Sequence, residues 1–365
     1  GVLSLPPKKP FAWQCLLPKT SIRSVGFTHE EALLPVQARS FHGYQLLHEY
    51  FAFPQRFLFF RIEGLRQCVK QCKSNRLNLV ILLDRDEPQL EGRIEARNFL
   101  LHCAPVINLF PKRADTIHLS DKVTEFHVVP HRTQHMDFEV YQVLKVTGYG
   151  VLSEEKQEFK PFYAATDIKT SSGSGAYFTV NRTPRMMSSR EKQYGRRSSY
   201  GGSEVFLSIV DSTAAPYRSE LRLLAVETLC TNRDLSLHMG VGQGKTDFNL
   251  DISSPVDSIR CVSGPTAPRP SKAEGDTSWR IINHLNLNYL SLVDSPDGKG
   301  STAIRDLFRL YCDPRDLRSN KLIDGVTSVS SRPVMRRISD QGQIAFIRGL
   351  EITLEFDEAA FEGTG

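Results

Sequence analysis

Three stretches of this chain hold residue types that could do chemistry. The first, Gly240 to Thr246, reads GVGQGKT and suggests a phosphate-binding loop. Such a loop needs a glycine, four residues, then Gly-Lys-Ser/Thr, so that backbone N–H groups wrap the phosphates where a helix begins. Here the first glycine position is Met239 and the following DFNLDI alternates like a strand. A glycine-rich turn is the expectation, with Lys245 at its tip. The second stretch places His127, His131 and His135 four residues apart. On a helix they would share a face and could hold zinc. Pro130 interrupts them and EFHVVP reads as a strand, so they are expected to be surface or strand-end histidines.

The third stretch is basic. Arg182, Arg185, Arg190, Lys192, Arg196 and Arg197 stand against the single acid Glu191, with Tyr194 and Tyr200 interleaved. That segment carries the whole formal charge of +5, so the rest of the chain is neutral. Arginines among aromatics can grip phosphates and stack on bases. A Ser/Gly/Arg loop is also a solvated connection or a contact for an acidic protein surface. Arg190, Arg196 and Arg197 are the candidate partner-binding residues. The alternative reading is a nucleic-acid- or phosphate-binding module built on residues 182–200.

The remaining reactive groups form no constellation. Seven scattered cysteines, an odd number, argue for reduced thiols rather than a disulfide framework. Cys68 and Cys72 could share a helical face, but no second pair stands at ligand spacing. Asp84, Arg85, Asp86 and His284 read as lone polar groups at element ends. No catalytic residue, cofactor site, metal site or small-molecule substrate is expected. No run of eighteen apolar residues occurs, so no membrane-spanning segment is expected. The chain opens with Gly1 and shows no signal-peptide pattern, which reads as a piece of a longer protein.

The elements that must carry these groups begin with residues 35–65. Phe41, Tyr44, Leu47 and Phe51 recur at helical spacing, with Ser40 as a cap and Pro54 as the stop. Phe57 to Ile62 reads as a strand buried on both faces. Phe41, Tyr44, Tyr50 and Phe51 are expected in the core. Further strands are expected at 77–83, 114–119, 123–129, 138–146, 159–165, 176–180, 205–210, 218–229 and 248–259. Leu90 to Phe110 is expected to start as a helix. Two helices are expected near 277–313, one striped by Trp279, Ile282, Leu285, Tyr289 and Leu292, the other capped by Ser301 and stopped at Asp313-Pro314. The clearest strand is Ile344 to Phe356, with Ile344, Phe346, Leu350, Ile352, Leu354 and Phe356 at even positions and Glu351, Thr353 and Glu355 facing the other way. Its edge is expected to be open to pairing with another copy. Strands outnumber helices without regular alternation, which predicts an α+β fold. Two β-rich domains with antiparallel or mixed sheets are expected, 1–148 and 149–365, divided at Gly148 and Gly150.

Several stretches resemble one family in order. LLPVQARSFHGYQLLHEYFAFPQRFLFFRIEGL, CAPVINLFP, PFYA, EVFLSIVD, LCTNRDL, INHLNLNYLSL and FIRGLEITLEFDEAAFEGTG are similar to segments of TssF (also ImpG or VasA), a type VI secretion baseplate subunit. The resemblance runs from about Val25 to the last residue, and implies that a family N-terminal region and helical tail are missing. It implies a non-enzymatic wedge subunit without cofactor, resembling contractile phage baseplate wedges. Implied partners are TssG, TssE, TssK and a second TssF copy, with no nucleic acid. The implied place is cytoplasmic, in a baseplate docked at the inner-membrane complex.

Overall fold

In the computed structural model the described residues are 13–15, 23–25, 42–59, 69–70, 75, 79–80, 88, 92–150, 156–162, 175–186, 198–212, 214, 216–270, 300–340 and 343–361. The chain divides into two compact units, one made of 1–107 with 280–365, the other of 108–279. Strands and a few helices combine in an α+β architecture. Gly148 and Gly150, the boundary expected from sequence, lie inside a strand of the second unit.

The first unit opens with β1 (Trp13–Cys15) and β2 (Arg23–Val25), which pair antiparallel. Helix α1 (His42–Ala52) follows, and β3 (Leu79–Val80) pairs with β1. Pro54 does stop α1, but what comes next is a 3-10 turn, Pro54–Leu58, where the start of a buried strand was expected. The turn is favoured because proline fits its first position. It also brings Arg56 back to Glu49, 2.7 Å away and largely buried. Residues 60–62 of that expected strand are outside the described residues. The helix expected at the start of Leu90–Phe110 is also absent; residues 92–107 hold only a 3-10 turn, Ala96–Asn98. A positive φ at Gly92 and Pro105 oppose helical propagation on either side of it.

The second unit is one curled sheet. Its strands are β4 (Phe110–Arg113), β5 (Ile117–His118), β6 (Phe126–His127), β7 (Glu139–Gly150), β8 (Lys156–Pro161), β9 (Ala176–Pro184), β10 (Ser203–Asp211) and β11 (Leu221–Thr231). Their order is β4-β11-β7-β8-β9-β10-β6, with β5 also on β11. All pairs are antiparallel except β8 with β9. A backbone bond from Asp115 N–H to Val129 C=O, 2.8 Å, links the two ends of that order. Alternate residues of β10 turn inward, so Val205, Leu207 and Ile209 join Val146, Phe178, Leu224 and Val226 in one apolar interior. At about 25 cal/mol per Å² of apolar surface removed from water, this interior is what holds the curl closed. The strand expected at 248–259 reduces to a single bridge, Phe248 with Ile259.

Returning to the first unit, α2 (Gly300–Tyr311) and α3 (Leu317–Asp324) precede a two-stranded ribbon, β12 (Val326–Asp340) and β13 (Gln343–Phe356). Ser301 lies within α2 rather than before it. Helix α3 is capped by Asp316, whose carboxylate accepts from Ser319 N–H at 3.2 Å. Phe51 of α1 is buried with Cys312 and Ile323 and lies 6.4 Å from the Phe308 ring, so part of the aromatic stretch is core as expected. The Trp279 to Leu292 stripe is outside the described residues, as is Phe41.

Candidate functional site

The basic stretch departs from the end of β9 and returns to the start of β10, as two paired strands around a loop require. Its two ends are locked by charge. Arg182 donates to Ser203 Oγ (2.7 Å) and to the carbonyls of Val140 (2.8 Å) and Tyr141 (2.9 Å). Arg185 donates to Glu204 Oε1 (3.2 Å) and to the His135 carbonyl (3.0 Å). Neither guanidinium is turned outward. The sequence reading counted both in the basic stretch 182–200 but not among the candidate partner-binding residues; the structure places them in internal bonds. Arg190, Lys192, Arg196 and Arg197 lie outside the described residues.

Under these feet sits a third arginine. Arg233 has φ of 54° and a side chain 2% exposed. It donates to the carbonyls of Met136 (2.8 Å) and Gly201 (2.9 Å), while its Nε, 4.0 Å from Glu139 Oε2, has no hydrogen-bond partner. Glu139, at the start of β7, accepts from Ser203 N–H (2.9 Å), Ser203 Oγ and Tyr200 Oη (2.8 Å). Asp234 accepts from Ser198 Oγ at 2.6 Å. Gly202, at φ of 74°, passes so close that a Cβ there would lie 3.0 Å from Arg233 Nε and 3.2 Å from Glu139 Oε2. Burial, then the neighbouring Glu139 charge, holds the Tyr200 phenol above its ordinary value. Burial pulls the Arg233 guanidinium down, yet arginine remains charged at any pH a protein meets.

This arrangement has a chemical consequence. Arg182, Arg185 and Arg233 are matched by Glu139, Glu204 and Asp234, three charges against three. A balanced set whose donors, Arg233 Nε aside, have internal acceptors has little attraction left for an anion. What it can do is tie together 135–140, 182–185, 198–204 and 233–234. A buried charge of this kind is held by its partners, and removing one of them is costly.

The other two motifs do not converge. His127 stacks on Phe206 (4.9 Å between centroids) and burial lowers its pKa. His131 stacks on Phe138 at 5.8 Å and accepts from Gln134 N–H at 3.1 Å. Among the described residues no three His, Cys, Asp or Glu side chains are placed to share a metal ion. In the glycine-rich turn, the Asp247 carboxylate accepts from Gly242 N–H (2.7 Å) and Cys261 N–H (2.8 Å). A carboxylate thus occupies an amide that a phosphate would need, and Lys245 is exposed. Cys230 and Cys312 are buried. Cys68, Cys72, Asp84, Arg85, Asp86 and His284 lie outside the described residues.

Sequence reasoning missed Glu139 and Arg233. The one signal available was the conjunction of Arg233 and Asp234 in LCTNRDL with the start of a β-strand at Glu139, and nothing in the spacing shows that they meet. It also missed the surface that β12 and β13 make. On one face of that ribbon Met335, Phe346, Leu350, Ile352, Leu354 and Phe356 are 42–69% exposed.

Comparison with known proteins gives a consistent result. A family model described as "Type VI secretion system, TssF" matches residues 2–365. "Type VI secretion system component TssF1" of Pseudomonas aeruginosa is 49% identical over 354 residues, which is 97% of this chain and 56% of that protein. A solved chain from a TssK-TssF-TssG baseplate subcomplex, determined by cryo-electron microscopy, superposes with a TM-score of 0.62 at 23% identity. The match covers 97% of this chain and 62% of that one. The chain therefore spans little more than half the length of the curated relative it matches.

Proposed function

This chain belongs to the TssF family of the type VI secretion system, and from that membership we propose that it is part of a non-enzymatic structural subunit of the secretion baseplate. The observation that carries the reading is the family match along the whole chain, residues 2–365. The local chemistry is in keeping with it, since Arg182 and Arg233 donate to backbone carbonyls and Glu139 accepts from the Tyr200 hydroxyl. The solved neighbour is part of a TssK-TssF-TssG baseplate subcomplex, and TssG and TssK are accordingly the proposed partners. TssE and a second copy of the same subunit complete the proposed wedge, which would support sheath assembly around the hub and spike. No helix among the described residues is long and apolar enough to cross a membrane. The proposed place is the cytoplasmic side, docked at the inner-membrane complex. No observation favours the nucleic-acid or phosphate reading of residues 182–200.

The test is deletion of the full-length gene followed by imaging of a fluorescent sheath subunit. Loss of sheath assembly, restored by the full-length protein, is expected. Normal sheaths in the deletion strain would overturn the reading.

A further inference from the structure

The β12–β13 ribbon has two unlike faces. In an antiparallel pair, residues directly opposite share a face. The register puts Arg337 with Phe346, Met335 with Arg348, Pro333 with Leu350, Ser331 with Ile352 and Val329 with Leu354. That face is apolar but for Arg337, Arg348 and Ser331, and it carries no carboxylate. The acids Glu351 and Glu355 lie on the other face, where Arg332 meets Glu351 at 3.0 Å and Ser328 donates to Glu355 at 2.6 Å. At its base Val326 and Val329 of β12 are buried, while Leu354 and Phe356 opposite them are 45% and 52% exposed. Toward the tip the apolar face is bare: Met335 is 63%, Phe346 69%, Leu350 42% and Ile352 55% exposed. Arg337 and Arg348 have no ion-pair partner among the described residues.

A two-stranded ribbon is marginal in water unless something covers its apolar side. Met, Phe and Arg are also the residues enriched where proteins meet, with acids depleted. From this face we infer a docking surface for one occupant: a segment of a different polypeptide whose apolar side chains are flanked by Asp or Glu. Charge selects it. A second copy laid face to face would bring four arginines together without a carboxylate, and like charges across an interface are unfavourable. A second copy added edge to edge would lengthen the ribbon and leave the face bare. An acidic-rimmed apolar segment covers the face and neutralises Arg337 and Arg348 together. The inference rests on the assembly reading for its setting, but its geometry does not depend on which assembly is involved.

The test places the photo-cross-linker benzoylphenylalanine at position 350, or at 353 on the opposite face as control, in the full-length protein inside the cell. The cross-linked peptide is then identified by mass spectrometry. Position 350 is expected to label an apolar, acid-flanked segment of another polypeptide, and 353 is not. Arg337→Glu with Arg348→Glu should cut the yield by about tenfold or more, whereas lysine at both sites should hold it within about twofold, because the pairing is electrostatic. Unchanged circular dichroism and elution volume verify that each variant folds. Labelling of a second copy or of this chain itself, labelling equal at 350 and 353, or a yield indifferent to charge reversal would overturn the docking surface and leave the baseplate reading standing. Labelling of an acid-flanked segment in a protein foreign to the baseplate would support the surface and count against that reading.

Discussion

Arg233 at the foot of the curled sheet and Arg348 on the ribbon put the same side chain to opposite uses. Arg233 is 2% exposed, bonded to two backbone carbonyls and set 4.0 Å from Glu139. Arg348 is exposed, opposite Met335, and has no acid on its face. The curled sheet satisfies its charges from within, and its loops are thereby held in place. The apolar face of the ribbon leaves its apolar atoms exposed and Arg337 and Arg348 without an ion-pair partner among the described residues, as a surface does when its partner lies elsewhere. Burial without balance would be costly, whereas exposure of apolar atoms is tolerated until something covers them. The difference separates residues that keep shape from residues that meet other molecules.

That comparison can be broken in several places. Arg233→Ala should have the largest effect, because it strands Glu139 in a site with Tyr200 and Ser203. Removing one partner of a buried pair costs about 3–5 kcal/mol, and urea unfolding of the full-length protein, followed by hydrogen exchange at β7, reads the loss. Gly202→Ala should cost about 1–3 kcal/mol through its positive φ, with a further penalty from the 3.0 Å approach to Arg233 Nε.

Tyr200→Phe should cost about 1.5–3 kcal/mol, the range for a hydrogen bond to a charged group. Its pH dependence is the sharper reading. The folded state holds the phenolic proton more tightly than the unfolded chain, whose tyrosines titrate near 10. The stabilisation is therefore complete below about pH 10 and shrinks as pH rises beyond it. Wild type should lose stability faster than Tyr200→Phe between pH 10 and 12, measured by unfolding at each pH. Smallest of all, Phe346→Ser or Leu350→Ser should shift unfolding by less than about 0.5 kcal/mol, as exposed substitutions do. A large loss would show that the ribbon face is a core.

Much of the fold was legible in the sequence. Strands were expected where β9, β10 and β11 lie, alternation located β13, and helical spacing located α2. Strand β12 was not legible because VTSVSSRPVMRRISD interrupts its pattern with Pro333 and paired arginines. A proline is tolerated there since each strand of a two-stranded ribbon has a free edge. Alternation in β13 correctly separated an apolar face from a polar one, but periodicity says nothing about what lies opposite, and that face proved exposed. The charged cluster was illegible for another reason. Glu139 meets Tyr200, Ser203 and Arg233 across 61 to 94 residues, and only the curling of the sheet brings them together. In the basic stretch charge density alone did not separate Arg182 and Arg185, which bond inward, from the arginines between them and Tyr200.

The central claim is that shape is kept by the inner charges and assembly is done by the outer face. Its most direct test is to measure thermal unfolding and co-purification with TssG and TssK of the same cell for the full-length Arg337→Glu, Arg348→Glu variant. The account predicts an unfolding midpoint within about two degrees of wild type, as expected for surface changes, together with loss of the complex. A complex formed as in wild type, or a midpoint that falls in step with the loss of complex, would contradict it.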